Sequence, residues 1–180
     1  MRRVLKMDKV ILSLILLAGI QLLVLGVRVT HPVQVPMVWP QRGDTLSEIR
    51  VHRADGQETP LLSGESTVFL IFDSKCVHCA AVASFWRGWL QHDASDWRVM
   101  AVSSEPLESA QAYVNRQGWE VEVGVVDAAP SGGPADALTG RAPWVFVADS
   151  DGVILAEGHG DMLSELTGRA RSRPKEAPRP

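Results

Sequence analysis

The four residues Cys76-Val77-His78-Cys79 constrain this chain more than any others, because they hold its only two cysteines and lie between two different hydrophobic patterns. Before them runs an unbroken stretch, Ser66-Thr67-Val68-Phe69-Leu70-Ile71-Phe72, the pattern of a strand buried on both faces. After them, Ala80, Ala83, Phe85, Trp86, Trp89 and Leu90 recur at helical spacing to about Gln91. A C-x-x-C at a strand-to-helix junction puts its first sulfur at the helix N-terminus, where unpaired backbone N–H groups and the macrodipole favour a thiolate. The second sulfur follows within about one helical turn, so it can close a disulfide with the first or resolve a mixed disulfide. The two tryptophans of the helical stripe could line a substrate groove, although aromatics at this spacing more often belong to a core.

Other uses of two cysteines are a buried structural pair and half of a metal site. A zinc site calls for about two more Cys or His ligands at recognisable spacing. His31, His52, His92 and His159 show no such pairing, and a haem-attachment motif needs histidine directly after Cys79, where Ala80 stands. No metal site is therefore assigned. Redox chemistry leads, with a copper or metal chaperone using the same soft thiolates, and an inert pair, left open.

The ends of the chain differ from its middle. Residues 1–9 carry a charge of +3, residues 10–168 carry −10, and residues 169–180 carry +4. The acidic middle argues against a nucleic-acid partner. Residues 10–27 are apolar except for Ser13 and Gln21, just enough to span a bilayer as a helix. Arg2, Arg3, Lys6 and Lys9 precede that span, so the positive-inside rule keeps the N-terminus cytoplasmic and sends the rest across, toward an oxidising compartment. A cleaved signal peptide is the alternative, but the apolar run exceeds a usual h-region and no small-x-small cleavage site follows it. Pro32, Pro36 and Pro40 mark an extended spacer.

Further elements follow in order. Residues 48–52 and 58–62 flank Ala54-Asp55-Gly56 as a hairpin, with Pro60 marking an edge strand. Residues 97–102 read as a second buried strand, and Ser104 or Glu105 opens a helix, with Pro106 in its first turn and Gly118 as its C-cap. A strand at 120–126, a small-residue loop at 128–133 and a short helical turn at 134–138 come next. Ala142-Pro143 then precedes strand 144–148, the turn Asp149-Ser150-Asp151-Gly152, a return strand 153–156 and a last helix from about Asp161. Asp149 and Asp151 lack the other ligands of a calcium loop and read as a plain turn.

This order, with C-x-x-C after the central strand and X-Pro before a β-hairpin and final helix, resembles the thioredoxin fold. More narrowly, the chain resembles the membrane-anchored, extracytoplasmic thioredoxins of the TlpA/ResA type over residues 43–168, with Gly43-Asp44 before the first hairpin as a further landmark. The resemblance implies an α/β thioredoxin-like fold, a central mixed sheet flanked by helices, with an N-terminal β-hairpin and one N-terminal transmembrane helix. It implies that Cys76 is the nucleophile, Cys79 the resolving cysteine, and Pro143 a cis-proline facing them, with the Ala142 backbone pairing to substrate. Two positions depart from the pattern: Lys75 replaces the usual tryptophan before the first cysteine, and Leu70 stands where thioredoxins carry a buried acid. His78 lies inside the motif, as in the Cys-Pro-His-Cys of oxidants of the DsbA type, and with Lys75 it is expected to tune the redox pair by favouring the Cys76 thiolate.

The expected organisation is a cytoplasmic stretch at 1–9, an uncleaved signal anchor at 10–29, a proline-rich linker at 30–42, a thioredoxin-like domain at 43–171 and a disordered tail at 172–180. The expected function is a single-pass, membrane-anchored thiol–disulfide oxidoreductase, its domain in the periplasm or equivalent extracytoplasmic space. Its partners would be protein thiols and disulfides. It needs no dissociable cofactor, only the redox-active pair Cys76–Cys79. A metal chaperone, or a thioredoxin-fold module that only binds a partner, are the alternatives.

Overall fold

The computed structural model describes residues 16–21, 39–46, 49–127 and 134–172 of the chain. It divides into two compact units, Met1–Val35 and Pro36–Pro180. In the first unit, residues 16–21 are helical and exposed. Among the described residues no helix is long and apolar enough to cross a membrane; the rest of the expected anchor, the linker up to residue 38, the loop at 128–133 and the tail from 173 lie outside the described residues.

The second unit is built on one seven-stranded sheet. In chain order its strands are β1 (Arg50–His52), β2 (Glu58–Pro60), β3 (Thr67–Ile71), β4 (Arg98–Ser103), β5 (Glu122–Val125), β6 (Trp144–Ala148) and β7 (Ile154–His159). Their spatial order is β2-β1-β5-β4-β3-β6-β7. Strands β3, β4 and β5 are parallel, while β6 runs antiparallel to β3, and β7 antiparallel to β6. The helices are α1 (Val77–His92), α2 (Leu107–Gln117), α3 (Pro134–Thr139) and α4 (Leu163–Arg171).

Strand β3 is buried along its whole length, as its unbroken apolar run requires, and its alternate residues feed two cores. Val68 and Leu70 join Ala101, Val145 and Val147 with the apolar stripes of α1, α2 and α4. Phe69 and Ile71 join Met100, Val102 and Phe146 with Leu46, Val51, Leu61 and Leu138 on the opposite face. The crossovers β3-α1-β4 and β4-α2-β5 step the same way across the sheet, so connections of one hand place both helices on one face. The expected hairpin forms in shorter strands, with Arg50 opposite Pro60, and the proline occupies the outermost strand, where its missing N–H costs no ladder bond.

Other details also differ from the sequence expectation. Helix α2 begins at Leu107, and Pro106 is its N-cap with φ −53° and ψ 136°. The extended ψ of Pro106 keeps it out of the helix, so the helical backbone starts one residue later and neither Ser104 nor Glu105 opens it. On α1, the buried stripe is Cys79, Val82, Ala83, Trp86 and Trp89, whereas Ala80 and Phe85 are exposed. Trp86 and Trp89 thus belong to the core and line no groove. The last helix is preceded by a 3-10 turn, Gly160–Met162.

Candidate functional site

The sheet register assembles the site at one edge. Ile71, the last residue of β3, pairs with Trp144, the first of β6, so the chain leaving β3 and the chain entering β6 lie side by side. His159 pairs with Trp144 in turn, which brings Gly160 to the same edge. Strand β3 has β4 on one side and β6 on the other, so the sheet order reverses there. In open α/β sheets the crevice beyond the strand C-termini at such a point is where ligands bind.

The loop from β3 to α1 carries Asp73-Ser74-Lys75-Cys76. Cys76 is the N-cap of α1, with φ −77° and ψ 119° and no side-chain capping hydrogen bond. Its side chain thus stands at the helix N-terminus without capping any of the first-turn N–H groups. Both cysteines are free, Cys76 half-buried and Cys79 fully buried. The Cys76 thiol donates to the Ala142 carbonyl at 3.5 Å. The Ala142-Pro143 peptide is cis, as the resemblance implied. Burial pushes the Cys79 thiol up to about 12, against a weaker downward pull from a backbone hydrogen bond at Asp73, and the adjoining Cys76 sulfur raises it further. At neutral pH Cys79 is a protonated thiol.

Under the pair lies an aromatic cluster. Phe72, which ends the strand run, stacks on Tyr113 at 5.4 Å between ring centroids and meets Trp119 edge-on at 5.9 Å. The Tyr113 hydroxyl is buried without a hydrogen-bond partner among the described residues, and burial raises its titration, with the charges of Cys79 and Cys76 adding to the effect. Trp86 donates its indole N–H to the Gly160 carbonyl at 2.7 Å, and Gly160 N–H donates to the Pro143 carbonyl at 3.2 Å. That chain of contacts ties α1 to the proline segment.

Of the residues singled out from sequence, Cys76, Cys79, Ala142 and Pro143 come together. Lys75 directly precedes Cys76 and His78 directly precedes Cys79, both with exposed side chains, and among the described residues neither side chain makes a hydrogen bond or ion pair. Among the same residues, no three His, Cys, Asp or Glu side chains gather in a way that could hold a metal ion. Two contributors were not singled out. Glu105, two residues beyond β4, accepts both the N–H and the O–H of Ser74, at 2.7 and 2.6 Å. At Gly160 a Cβ would lie 2.7 Å from Trp86 and 3.0 Å from Pro143. The available signals were an acid fixed before a proline at the end of a buried strand, and a glycine at the end of β7.

The sheet order, the helix placement and a C-x-x-C opposite a cis X-Pro define a thioredoxin-like fold. Solved structures agree. A candidate protein disulfide isomerase from Bacteroides thetaiotaomicron superposes with a TM-score of 0.58 at 20% identity, covering 76% of this chain and 92% of that one. The peroxidoxin BcpB from Mycobacterium tuberculosis gives 0.59 at 16% identity, covering 76% and 99%. A candidate thiol:disulfide interchange protein DsbE from Chlorobium tepidum gives 0.55 at 18% identity, covering 73% and 98%. No protein-family model matches the chain, and no curated protein matches it at a significant level.

Proposed function

We propose that this protein is a membrane-anchored, extracytoplasmic thiol–disulfide oxidoreductase that exchanges disulfides with protein substrates, with Cys76 as nucleophile and Cys79 as resolving cysteine. The observation that carries the reading is the asymmetry of the pair: Cys76 is half-buried at a helix cap, whereas Cys79 is fully buried and pushed up to about 12. One sulfur is accessible and unpaired with any cap; the other is held protonated until needed.

In the reducing direction the Cys76 thiolate attacks one sulfur of a client disulfide. A Cys76–client disulfide forms, the client S–S bond breaks, and the client's second sulfur leaves as a thiolate that takes up a proton. Cys76 no longer carries charge at that point, so the upward push it exerts on Cys79 disappears. Cys79 then attacks Cys76, and its proton passes to the departing client sulfur. The Cys76–client bond breaks, the client departs as a dithiol with two electrons gained, and the protein retains the Cys76–Cys79 disulfide. The oxidising direction is the reverse. Ala142 and Pro143 border Cys76 and would contact the client beside its cysteine, while Lys75 and His78 would act on the Cys76 thiolate through charge.

The test is trapping. Full-length Cys79→Ser is expected to accumulate mixed disulfides with client proteins, resolved by non-reducing electrophoresis, and Cys76→Ser is not. Equal trapping by the two variants would reverse the assignment of nucleophile, and no trapping by either would remove the exchange reading.

A further inference from the structure

We infer that Glu105 is a positioning residue for the nucleophile, fixing where the loop that carries Cys76 sits relative to the sheet. The inference rests on the redox reading above and adds to it a group outside the cysteine motif. The hydrogen bonds of the loop divide into two kinds. The Lys75 N–H donates to the Asp73 carboxylate at 2.7 Å and the Cys76 N–H to the Asp73 carbonyl at 3.1 Å. Both lie within the loop, so they fix its shape but not its place.

Place is supplied from outside the loop: besides the Cys76 thiol on the Ala142 carbonyl at 3.5 Å, it comes from the neighbouring strand. The last bond of the parallel ladder, Phe72 N–H to the Val102 carbonyl at 3.0 Å, stops short of the loop. Beyond it the Glu105 carboxylate takes the Ser74 N–H at 2.7 Å on one oxygen and the Ser74 O–H at 2.6 Å on the other. Ser103 closes the arrangement, accepting the Glu105 N–H at 3.2 Å and lying 3.4 Å from its carboxylate. Hydrogen bonds to an ionised acceptor are shorter and roughly twice as strong as neutral ones. Among the described residues Glu105 forms no ion pair, and Pro106 rather than Glu105 caps α2. Its two carboxylate oxygens are therefore directed at Ser74, two residues before the nucleophile. Displacing the loop by a fraction of an ångström would alter the approach of Cys76 to the Ala142 carbonyl and to a client sulfur, an alignment to which displacement reactions are sensitive.

The experiment measures Cys76 itself. In full-length chain carrying Cys79→Ser, the rate of Cys76 reaction is followed with glutathione disulfide and, separately, with iodoacetamide. Glu105→Ala is expected to slow the reaction with glutathione disulfide about tenfold, on the order of the worth of one hydrogen bond to a charged group. Glu105→Gln, which keeps size and one acceptor, should restore the rate to within about threefold of the parent. Ser74→Ala should fall between, and the double variant should match Glu105→Ala, because the serine hydroxyl acts through the same carboxylate. A folded Glu105→Ala protein with an unchanged rate overturns the inference. So does additivity of the two substitutions, or Gln behaving as Ala. Should Glu105→Ala fail to fold, Ser74→Ala decides alone: an unchanged rate overturns the inference. Iodoacetamide separates this failure from failure of the redox reading, since alkylation needs no exchange activity. A parent protein inert to glutathione disulfide but alkylated at a Glu105-dependent rate would overturn the function and keep the positioning role.

Discussion

At the scale of single residues, the two sulfurs differ because one caps a helix and the other lies in that helix's first turn on its buried face. Cys79 has a direct stability signature. Its folded-state value of about 12 lies above the ordinary thiol value of about 8.5, so the folded protein keeps a proton that the unfolded chain releases. The stability is fully present below about pH 8.5 and is lost as pH rises toward 12, by up to about 1.4 kcal/mol per pH unit. Denaturant midpoints of the reduced full-length chain should therefore fall more steeply between pH 9 and pH 11 than those of Cys79→Ala, on the order of one proton's difference; parallel curves would contradict the burial of the thiol. In the proposed function His78, when protonated, acts on the other sulfur. A positive charge near the Cys76 thiolate favours the reduced protein, and about 30 mV accompanies each 1.4 kcal/mol of that preference. With Lys75 and the helix N-terminus acting the same way, the expected potential lies between those of thioredoxin and the strong oxidants. Replacing His78 by Ala should shift the glutathione equilibrium toward the disulfide by up to about tenfold. An unchanged equilibrium would remove His78 from the tuning of the pair.

Elements explain how much of this was legible before the structure. Strand β3, the C-x-x-C helix, the edge proline of β2 and the X-Pro before β6 announce themselves locally, through an unbroken apolar run, a helical period and prolines at strand boundaries. Glu105 and Gly160 did not, because their roles are created by register. Ser74 and Glu105 are 31 residues apart, and Trp86 and Gly160 are 74 apart. Nothing local distinguishes an acid that opens a helix from one that reaches across a sheet edge, apart from the proline that follows it. Similarly, Val82 rather than Phe85 faces the core because it shares one helical face with Cys79, Ala83, Trp86 and Trp89, and the packing of the sheet selects that face. Gly160 offers an element-level test. A Cβ there would press on Trp86 and Pro143 together, and the tryptophan is fully buried and held by its bond to the Gly160 carbonyl. Gly160→Ala is expected to cost about 1–3 kcal/mol, the usual penalty for overpacking, and to slow thiol exchange, because α1 and the proline segment are pushed apart. A variant with wild-type stability in denaturant titration would show that the contact yields without cost.

For the whole molecule, the proposed function calls for a membrane anchor with the thioredoxin-like domain outside the cytoplasm, and charge and length set that expectation. Residues 10–27 would span about 27 Å as a helix at 1.5 Å per residue, close to the hydrocarbon thickness of a bilayer of about 30 Å. The +3 charge of residues 1–9 stands immediately before that stretch. If that stretch spans a bilayer, retaining those positive residues on the cytoplasmic side would direct the chain after residue 27 outward. A C-x-x-C pair meets different conditions on the two sides: cytosolic thiol systems keep cysteines reduced, whereas outside them a disulfide persists and exchange with secreted proteins becomes the available chemistry. The proposed function depends on that placement, and fusion of a reporter after the last residue examines it. A reporter active only outside the cytoplasm is expected to be active. Reversing the four basic residues Arg2, Arg3, Lys6 and Lys9 to Glu should reduce its activity by disturbing the orientation signal, without touching any residue of the sheet or of the cysteine site. A fusion silent in that reporter but active in a cytoplasmic one would leave the thiol chemistry possible and place it in the reducing compartment, where the oxidising poise expected from His78 would have no use.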